Sequence, residues 1–421
     1  MRLAVNLAVL AAVNVLMAFA VQWYVVTMLG AAQQTDALFA GLAIPTVVLS
    51  IITGSVMHVL VPLLAGEEKA SLKADAWTLF SIAALVFAIL FAILYLTAPI
   101  WVLWLVPGFD AEAQSLTLEL TRIQLVGMLF TGINGVQVAV YHAKGKFVWP
   151  QIAPLASAVL TFAALVYALP EYGVMAVAWL NVLRVALLTL LLGPGMGRPT
   201  RPNFTSLAVQ ESWARIKPLL LGSAYYKTDV LVDRALLSLA VPGTLTLYYL
   251  AQRIYDAAGQ VFNQALCAPA VPVFAEHYKR GDLAALRHVF YRKLQQVGLI
   301  SGVLILLLLV IGQPTMLLVL NFGAFDEASV QGLWVILCLL AGMFFGSGTG
   351  QICASTFYAM GDTITPTRLS VITYTVYVPS KIAAFWLFGL TGLALATSVY
   401  YLCNLALQIY LLERRFRHDV T

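Results

Sequence analysis

Charge is scarce in this chain. Of its 421 residues, 24 are Lys or Arg and 19 are Asp or Glu, 10% in all, where a soluble domain carries about 25%. With 61% hydrophobic residues and a mean hydropathy of +0.89, that scarcity excludes a water-soluble globular protein and leaves a polytopic membrane protein. Cysteine is scarce as well. Cys267, Cys338, Cys353 and Cys403 all lie in apolar stretches, without metal-ligand spacing and away from loops where a disulfide would form. They read as small packing residues, and no metal or other cofactor is expected. Long polar segments are missing, so no soluble catalytic domain fits, and no Asp-x-Asp motif of a glycosyltransferase occurs. The net charge of +5 does not point to nucleic acid, because the basic residues are sorted by membrane side.

What the chain has in plenty is apolar runs long enough to span a bilayer. They predict an all-α protein of about twelve transmembrane helices, at 4–29, 37–65, 76–105, 115–142, 150–169, 173–193, 214–240, 244–275, 289–312, 329–360, 366–388 and 391–412. The start imitates a signal peptide, with Arg2, an apolar run and then Ala18-Phe19-Ala20. The run continues to Leu29, too long for such a leader, and counts as the first helix. The longest expected loops are 194–213, the basic 276–288, and 313–328. Pro45 and Pro379 are candidate mid-helix kinks, and Gly342, Gly346, Gly348 and Gly350 give the tenth segment a smooth face for close packing.

Eighteen of the 24 basic residues fall at alternate ends and loops, among them Arg2, Lys69, Lys144, Arg198, Lys279, Arg368 and Arg414, and none in the opposite loops. Those opposite loops carry Asp36, Asp110, Glu112, Glu171, Asp326 and Glu327 instead. Basic loops stay in the cytoplasm, so both termini are expected there. The chain also repeats. VPLLAGEEK (61–69) matches VPVFAEHYK (271–279), and YHAKGKFVWP (141–150) matches FYAMGDTITP (357–366). With a three-residue insertion, YGVMAVA (172–178) matches TGLALAT (391–397). Two six-helix lobes are expected, 1–193 and 214–421, joined by a cytoplasmic linker at 194–213. An even number of helices gives the lobes the same orientation, with a pseudo-twofold axis along the membrane normal and a cleft between them.

The other six basic residues lie inside apolar segments: Arg122, Arg184, Lys227, Arg234, Arg253 and Lys381. A charge at the centre of a spanning helix costs about 2.5–3.5 kcal/mol, so such residues mark function. The segment YYKTDVLVDR (225–234) holds four charges. On a helix, Lys227 and Arg234 share one face, and Asp229 and Asp233 another about 120–160° away. Arg253 and Asp256 are three apart on the next segment, and Glu119 and Arg122 three apart on the fourth, at pairing distance. Around the seventh, eighth and eleventh segments four cations (Lys227, Arg234, Arg253, Lys381) meet three acids (Asp229, Asp233, Asp256). An unpaired buried charge is costly, so a cationic cavity for a phosphate or diphosphate headgroup is expected. The alternative is internal pairing that fixes helix packing. His58 and His142 sit near cytoplasmic helix ends and read as structural.

Three stretches resemble the MurJ/MviN family. TDALFAGLAIP (35–45) is similar to its tDAFf-A-riP pattern. DVLVDRALLSLAVPGTLTLYYLAQRIYD (229–256) is similar to its LLvDtilaS…pGsvs-L-YA-Rly stretch. FYAMGDTITP (357–366) and TGLALATS (391–398) are similar to FYAl-DT-TPv and G-GLALATS. The resemblance covers most of the chain and is most specific in the second half. It implies a MOP/MATE-like fold and a flippase for lipid II, an undecaprenyl-diphosphate-linked peptidoglycan precursor; exopolysaccharide and O-antigen flippases and multidrug exporters share the superfamily. Asp36, Asp233 and Arg253 fall on the family's acid of the second helix, acid of the seventh and arginine of the eighth. The family's Arg-Asp pair of the first helix is Val21-Gln22 here, its Arg-Arg of the second is Leu49-Ser50, and its Glu-Gly is Thr53-Gly54. Some members have a sodium site in the eleventh helix, where this chain reads VPSKI (378–382). The family usually has two further C-terminal helices, whereas twelve are expected in this sequence, which ends at ERRFRHDVT.

The expected function is a flippase that moves a polyprenyl-diphosphate-linked glycan across the bacterial cytoplasmic membrane by alternating access. An exopolysaccharide or related glycan is favoured over lipid II on the missing first-half arginines. Lys227, Arg234, Arg253, Arg184 and Lys381 are the expected headgroup contacts, and Asp36, Asp229, Asp233 and Asp256 the orienting or charge-coupling acids. The expected partners are the lipid-linked substrate and membrane lipids, and the expected working unit is a monomer. A multidrug or cation exporter of the same plan is the rival; it would want an acidic, aromatic pocket.

Overall fold

The computed structural model describes residues 2–64, 69–204, 210–213, 224–267 and 269–418. Its contacts divide the chain into two compact units, Met1–Gly243 and Thr244–Thr421. Apart from one isolated β-bridge, Phe322 to Phe325, the regular structure described is helical.

The first unit begins with α1 (Arg2–Leu29), α2 (Gln33–Gly41), α3 (Ala43–Leu64) and α4 (Lys69–Leu105), followed by α5 (Ala111–Ala143) and α6 (Trp149–Leu192). A 3₁₀ turn (Gly193–Met196) follows. Ala18-Phe19-Ala20 lies inside α1. The second expected segment is two helices, broken at Leu42. Pro45 therefore sits in the first turn of α3, where its missing N–H costs nothing, and it is not a mid-helix kink. The fifth and sixth segments meet in α6 at a kink at Gly173 (φ 53°, ψ −135°). A straight helix of that length would measure about 65 Å, twice the hydrocarbon core, so α6 crosses twice. Its core is apolar, with Leu60, Leu64, Ala76 and Leu79 of α3 and α4 buried against Val136, Ala139 and Val140 of α5. The linker residues 205–209 and the start of the seventh segment, 214–223, lie outside the described residues. The rest of that segment is helical at 224–227, turns at Thr228 and continues as α7 (Asp229–Leu237), which packs on α3 and α4. The contact boundary thus follows α7 to Gly243.

The second unit runs α8 (Thr244–Phe262), a π-helical turn (Asn263–Cys267), α9 (Ala270–Lys279), α10 (Leu283–Leu307), a second π-helical turn (Leu308–Gly312), α11 (Gln313–Leu320), α12 (Glu327–Leu339), α13 (Ala341–Ala359) and α14 (Ile364–His418). Most of the expected loops 276–288 and 313–328 is therefore helical. The helices break where side chains can satisfy the freed backbone, as a membrane interior requires. Trp334 Nε1 donates to Leu308 O (3.0 Å) at the second π turn. At the 44° bend between α12 and α13, Ser398 Oγ donates to Leu339 O (2.6 Å) and accepts from Met343 N–H (3.1 Å). The smooth face of α13 meets α14: a methyl added at Gly346 would lie 2.7 Å from the Tyr401 backbone, and at Gly342 2.8 Å from Ser398 Cβ. Pro379 lies inside α14, whose break is at Gly389 (φ 59°, ψ −141°).

Seven helices among the described residues are long and apolar enough to cross a membrane, eight if α12 and α13 make one bent span. The repeat is visible in backbone detail. Asp110 caps α5 through Ala113 N–H (2.8 Å), and Asp326, 216 residues later, caps α12 through Ser329 N–H (2.9 Å). Gly145 and Gly361 (φ 70° and 77°) and the kinks at Gly173 and Gly389 keep the same offset. The offset therefore runs through the kink without the expected three-residue insertion: Gly389, not Gly392, is the counterpart of Gly173. The bonds to Ala113 N–H and the Gln33 side chain hold the Asp110 carboxyl below its usual range, and bonds to Ser329 do the same for Asp326.

Candidate functional site

Lys227, Asp229, Asp233, Arg234, Asp36 and Arg184 belong to the first unit; Arg253, Asp256 and Lys381 belong to the second. The short α7 buries Asp233 and Arg234 almost completely, while Lys227 and Asp229, at its start, are half-buried. Asp36 is 2% exposed and works as a clamp, its Oδ2 accepting from Gly243 N–H at 2.7 Å. Gly243 has φ +90°, and a methyl there would sit 2.4 Å from Ala31 O, so only glycine brings that N–H to the carboxylate. A second tie lies nearby in sequence: Gly108 N–H donates to Ser238 Oγ at 3.1 Å.

Arg184 hangs from a chain of amides. Its Nη2 donates to Asn181 Oδ1 (3.1 Å), and Asn181 Nδ2 donates to Gln124 Oε1 (2.8 Å) on α5. Thr189 and Asn134 continue the polar seam between α5 and α6 (2.7 Å). Arg122 does not pair with Glu119; its guanidinium lies over the Tyr95 ring, 4.9 Å from the centroid.

In the second unit, Arg253 is exposed and does not form the expected ion pair with Asp256. Its Nε donates to Tyr249 Oη (2.9 Å) and its guanidinium lies 5.0 Å from that ring's centroid. Lys381 is wholly enclosed, with Nζ 4.9 Å from the Tyr377 centroid. Tyr377 Oη is 2.8 Å from Thr397 Oγ1, and its ring stacks on Tyr400 at 4.2 Å. Lys381 thus lines no open space in this conformation, unlike Arg253. The sequence reading missed Tyr249 and Tyr377, although each stands four residues before its cation. It also missed Gln124 and Asn181, visible only as isolated amides in apolar helices.

Among the described residues Lys227, Arg184 and Arg253 have no acid within ion-pair distance. A cation–π contact contributes about 0.5–2 kcal/mol, while a charge at the bilayer centre costs about 2.5–3.5 kcal/mol. No group of three or more His, Cys, Asp or Glu side chains able to hold a metal ion occurs among the described residues.

A family model described as lipid II flippase MurJ matches residues 25–420. The chain belongs to the MurJ family. It is 24% identical over 382 residues to a probable lipid II flippase MurJ of Thermotoga maritima, covering 89% of this chain and 77% of that one. To a probable lipid II flippase MurJ of Synechocystis it is 25% identical, covering 83% and 68%. Among solved structures, a lipid II flippase MurJ in an inward closed conformation matches with a TM-score of 0.80 at 16% identity, over 97% of this chain and 87% of that one. An inward-facing multidrug resistance MATE family transporter of the MOP superfamily matches at 0.79 and 15%, over 97% and 94%. These likenesses establish the MOP fold that MurJ and MATE transporters share, and with it a multi-pass membrane protein.

Proposed function

We propose that this MurJ-family chain is a transporter that flips a polyprenyl-diphosphate-linked glycan across the cytoplasmic membrane of a bacterium, by alternating access and with both termini in the cytoplasm. The observation that carries the reading is Arg253: an exposed cation on α8, oriented by Tyr249 and without an ion pair among the described residues. Lys227 and Arg184 add two further cations without acid partners among the described residues. Cations so placed suit a diphosphate, whose oxygens accept the charge-assisted hydrogen bonds a guanidinium offers. They oppose the multidrug-exporter reading, in which an organic cation would meet like charge. Arg234 adds a buried cation to the first unit. Lys381, enclosed by its tyrosines, is assigned to the setting of α14 and not to direct contact. Asp229, Asp233 and Asp256 orient the cations or couple transport to charge movement, and Asp36 holds the 241–243 loop. The lobes of the repeat, 1–193 and 214–421 with the linker 194–213, are the moving parts of this reading.

Lipid II is the substrate that the family description names. A second reading, an exopolysaccharide-type unit, is favoured by Val21-Gln22 and Leu49-Ser50, where the family resemblance puts arginines. The test of the common reading is flipping of a fluorescent polyprenyl-diphosphate-linked sugar in vesicles. Neutralising Lys227, Arg234 and Arg253 together is expected to reduce the rate at least tenfold in protein that still inserts and purifies as wild type. An unchanged rate would sink it.

A further inference from the structure

Outside this site, the end of α14 carries a second basic feature that the flippase reading does not use. Glu413, Arg414, Arg417 and Tyr410 line a cavity of about 300 Å³. The single acid there is already engaged. Arg287 of α10 grips Glu413 with two bonds, Nε to Oε1 (3.1 Å) and Nη2 to Oε2 (3.0 Å), and Tyr291 Oη donates to Oε1. Arg417 reaches Glu413 only at 3.9 Å, and Arg414 has no hydrogen-bond or ion-pair partner among the described residues. Arg415 is committed elsewhere, to Asp362 at the start of α14. The cavity therefore keeps two exposed guanidinium groups whose donors are largely unspent.

The face that leads to them is apolar. Cys403, Leu407, Tyr410, Arg414 and Arg417 follow at spacings of four, three, four and three, one stripe of a helix. Cys403 is exposed, Leu407 is 41% and Tyr410 63% exposed. The stripe thus offers apolar contact, then an aromatic ring, then two cations. That is the profile of an acyl chain, its glycerol and an anionic headgroup read in order.

We propose that this stripe is a binding site for an anionic glycerophospholipid of the leaflet at this end of α14, with its phosphate held by Arg414 and Arg417. Glu413 competes only weakly for the two arginines while Arg287 and Tyr291 hold it, and this tie also fixes α10 against the site. A zwitterionic lipid gains less, because its own ammonium neutralises its phosphate charge and is repelled by the two arginines.

Cys403 supplies a local probe, since Cys267 and Cys353 are buried and Cys338 is half-buried. The full chain carrying Cys338→Ala would be labelled with bimane at Cys403 and reconstituted in phosphatidylcholine vesicles. Brominated-chain phosphatidylglycerol is expected to quench the label with about fivefold higher relative association than brominated-chain phosphatidylcholine at low salt. The preference should fall toward one at high salt, a result that needs no further variant, and in the Arg414→Gln/Arg417→Gln double variant. Unchanged quenching by brominated phosphatidylcholine in that variant would show that the helix is still in place. A wild-type ratio near one, or a ratio unaffected by salt and by the double substitution, overturns the proposal. So does undecaprenyl diphosphate relieving the quenching better than an equal amount of unbrominated phosphatidylglycerol, which would assign the stripe to the transported lipid.

Discussion

Tyr249 and Tyr377 do related work one turn before a cation. Each turns a ring face to the charge at i+4, at 5.0 and 4.9 Å. The outcomes differ because Arg253 faces open space while Lys381 is sealed among side chains of its own unit. At Arg253 the tyrosine hydroxyl holds Nε and leaves the other guanidinium donors for a ligand. A hydrogen bond to a charged group contributes about 1.5–3 kcal/mol. Tyr249→Phe, which keeps the ring and loses that bond, is therefore expected to slow flipping by about tenfold. Tyr249→Leu, which loses both contacts, should slow it further, toward the Arg253→Gln rate. Equal rates for Tyr249→Phe and wild type in the vesicle assay would remove the tyrosine from the site. The i, i+4 spacing was readable in the sequence. Which of the two cations would be open was not, since a helix face acquires its surroundings only from the helices packed on it.

At the scale of elements, glycine decides how closely α13 and α14 approach. Gly346 lies against the Tyr401 backbone, whereas a methyl at Gly350 would meet nothing within 4 Å. Gly346→Ala must push two helices apart, and overpacking of that kind costs about 1–3 kcal/mol. Gly350→Ala gains helix propensity, about 0.5–1 kcal/mol. In thermal unfolding of the purified protein, the first should melt lower than wild type and the second at or above it. The opposite order would mean that the contact between the helices is not set by these glycines. The run AGMFFGSGTG announced a smooth face, but not which of its glycines touches a neighbour. The same limit explains Pro45. Its place in an apolar run suggested a kink, yet the chain breaks three residues earlier, at Leu42, and puts the proline where a helix tolerates it.

For the whole molecule, the question is which headgroup the cations accept. Expression in a bacterium depleted of its own lipid II flippase, with membrane insertion verified, is expected to restore growth if lipid II is the substrate. Failure there, with flipping of another diphosphate-linked sugar in vesicles, would move the protein to the exopolysaccharide-type reading. The sequence by itself determined the membrane-spanning class, the general location of the apolar spans, the charge asymmetry and the two-fold repeat. Each follows from local physics: apolar length against bilayer thickness, and lysine and arginine kept out of hydrocarbon. The caps at Asp110 and Asp326 and the kinks at Gly173 and Gly389 carry that repeat into the backbone. Tertiary structure alone decided that Arg253 turns to a tyrosine and not to Asp256, that Asp36 spends an oxygen on Gly243, and that Glu413 is held by Arg287 and Tyr291. Those partners are as far as 207 residues apart, and no periodicity along one helix says what a distant segment will bring to its face.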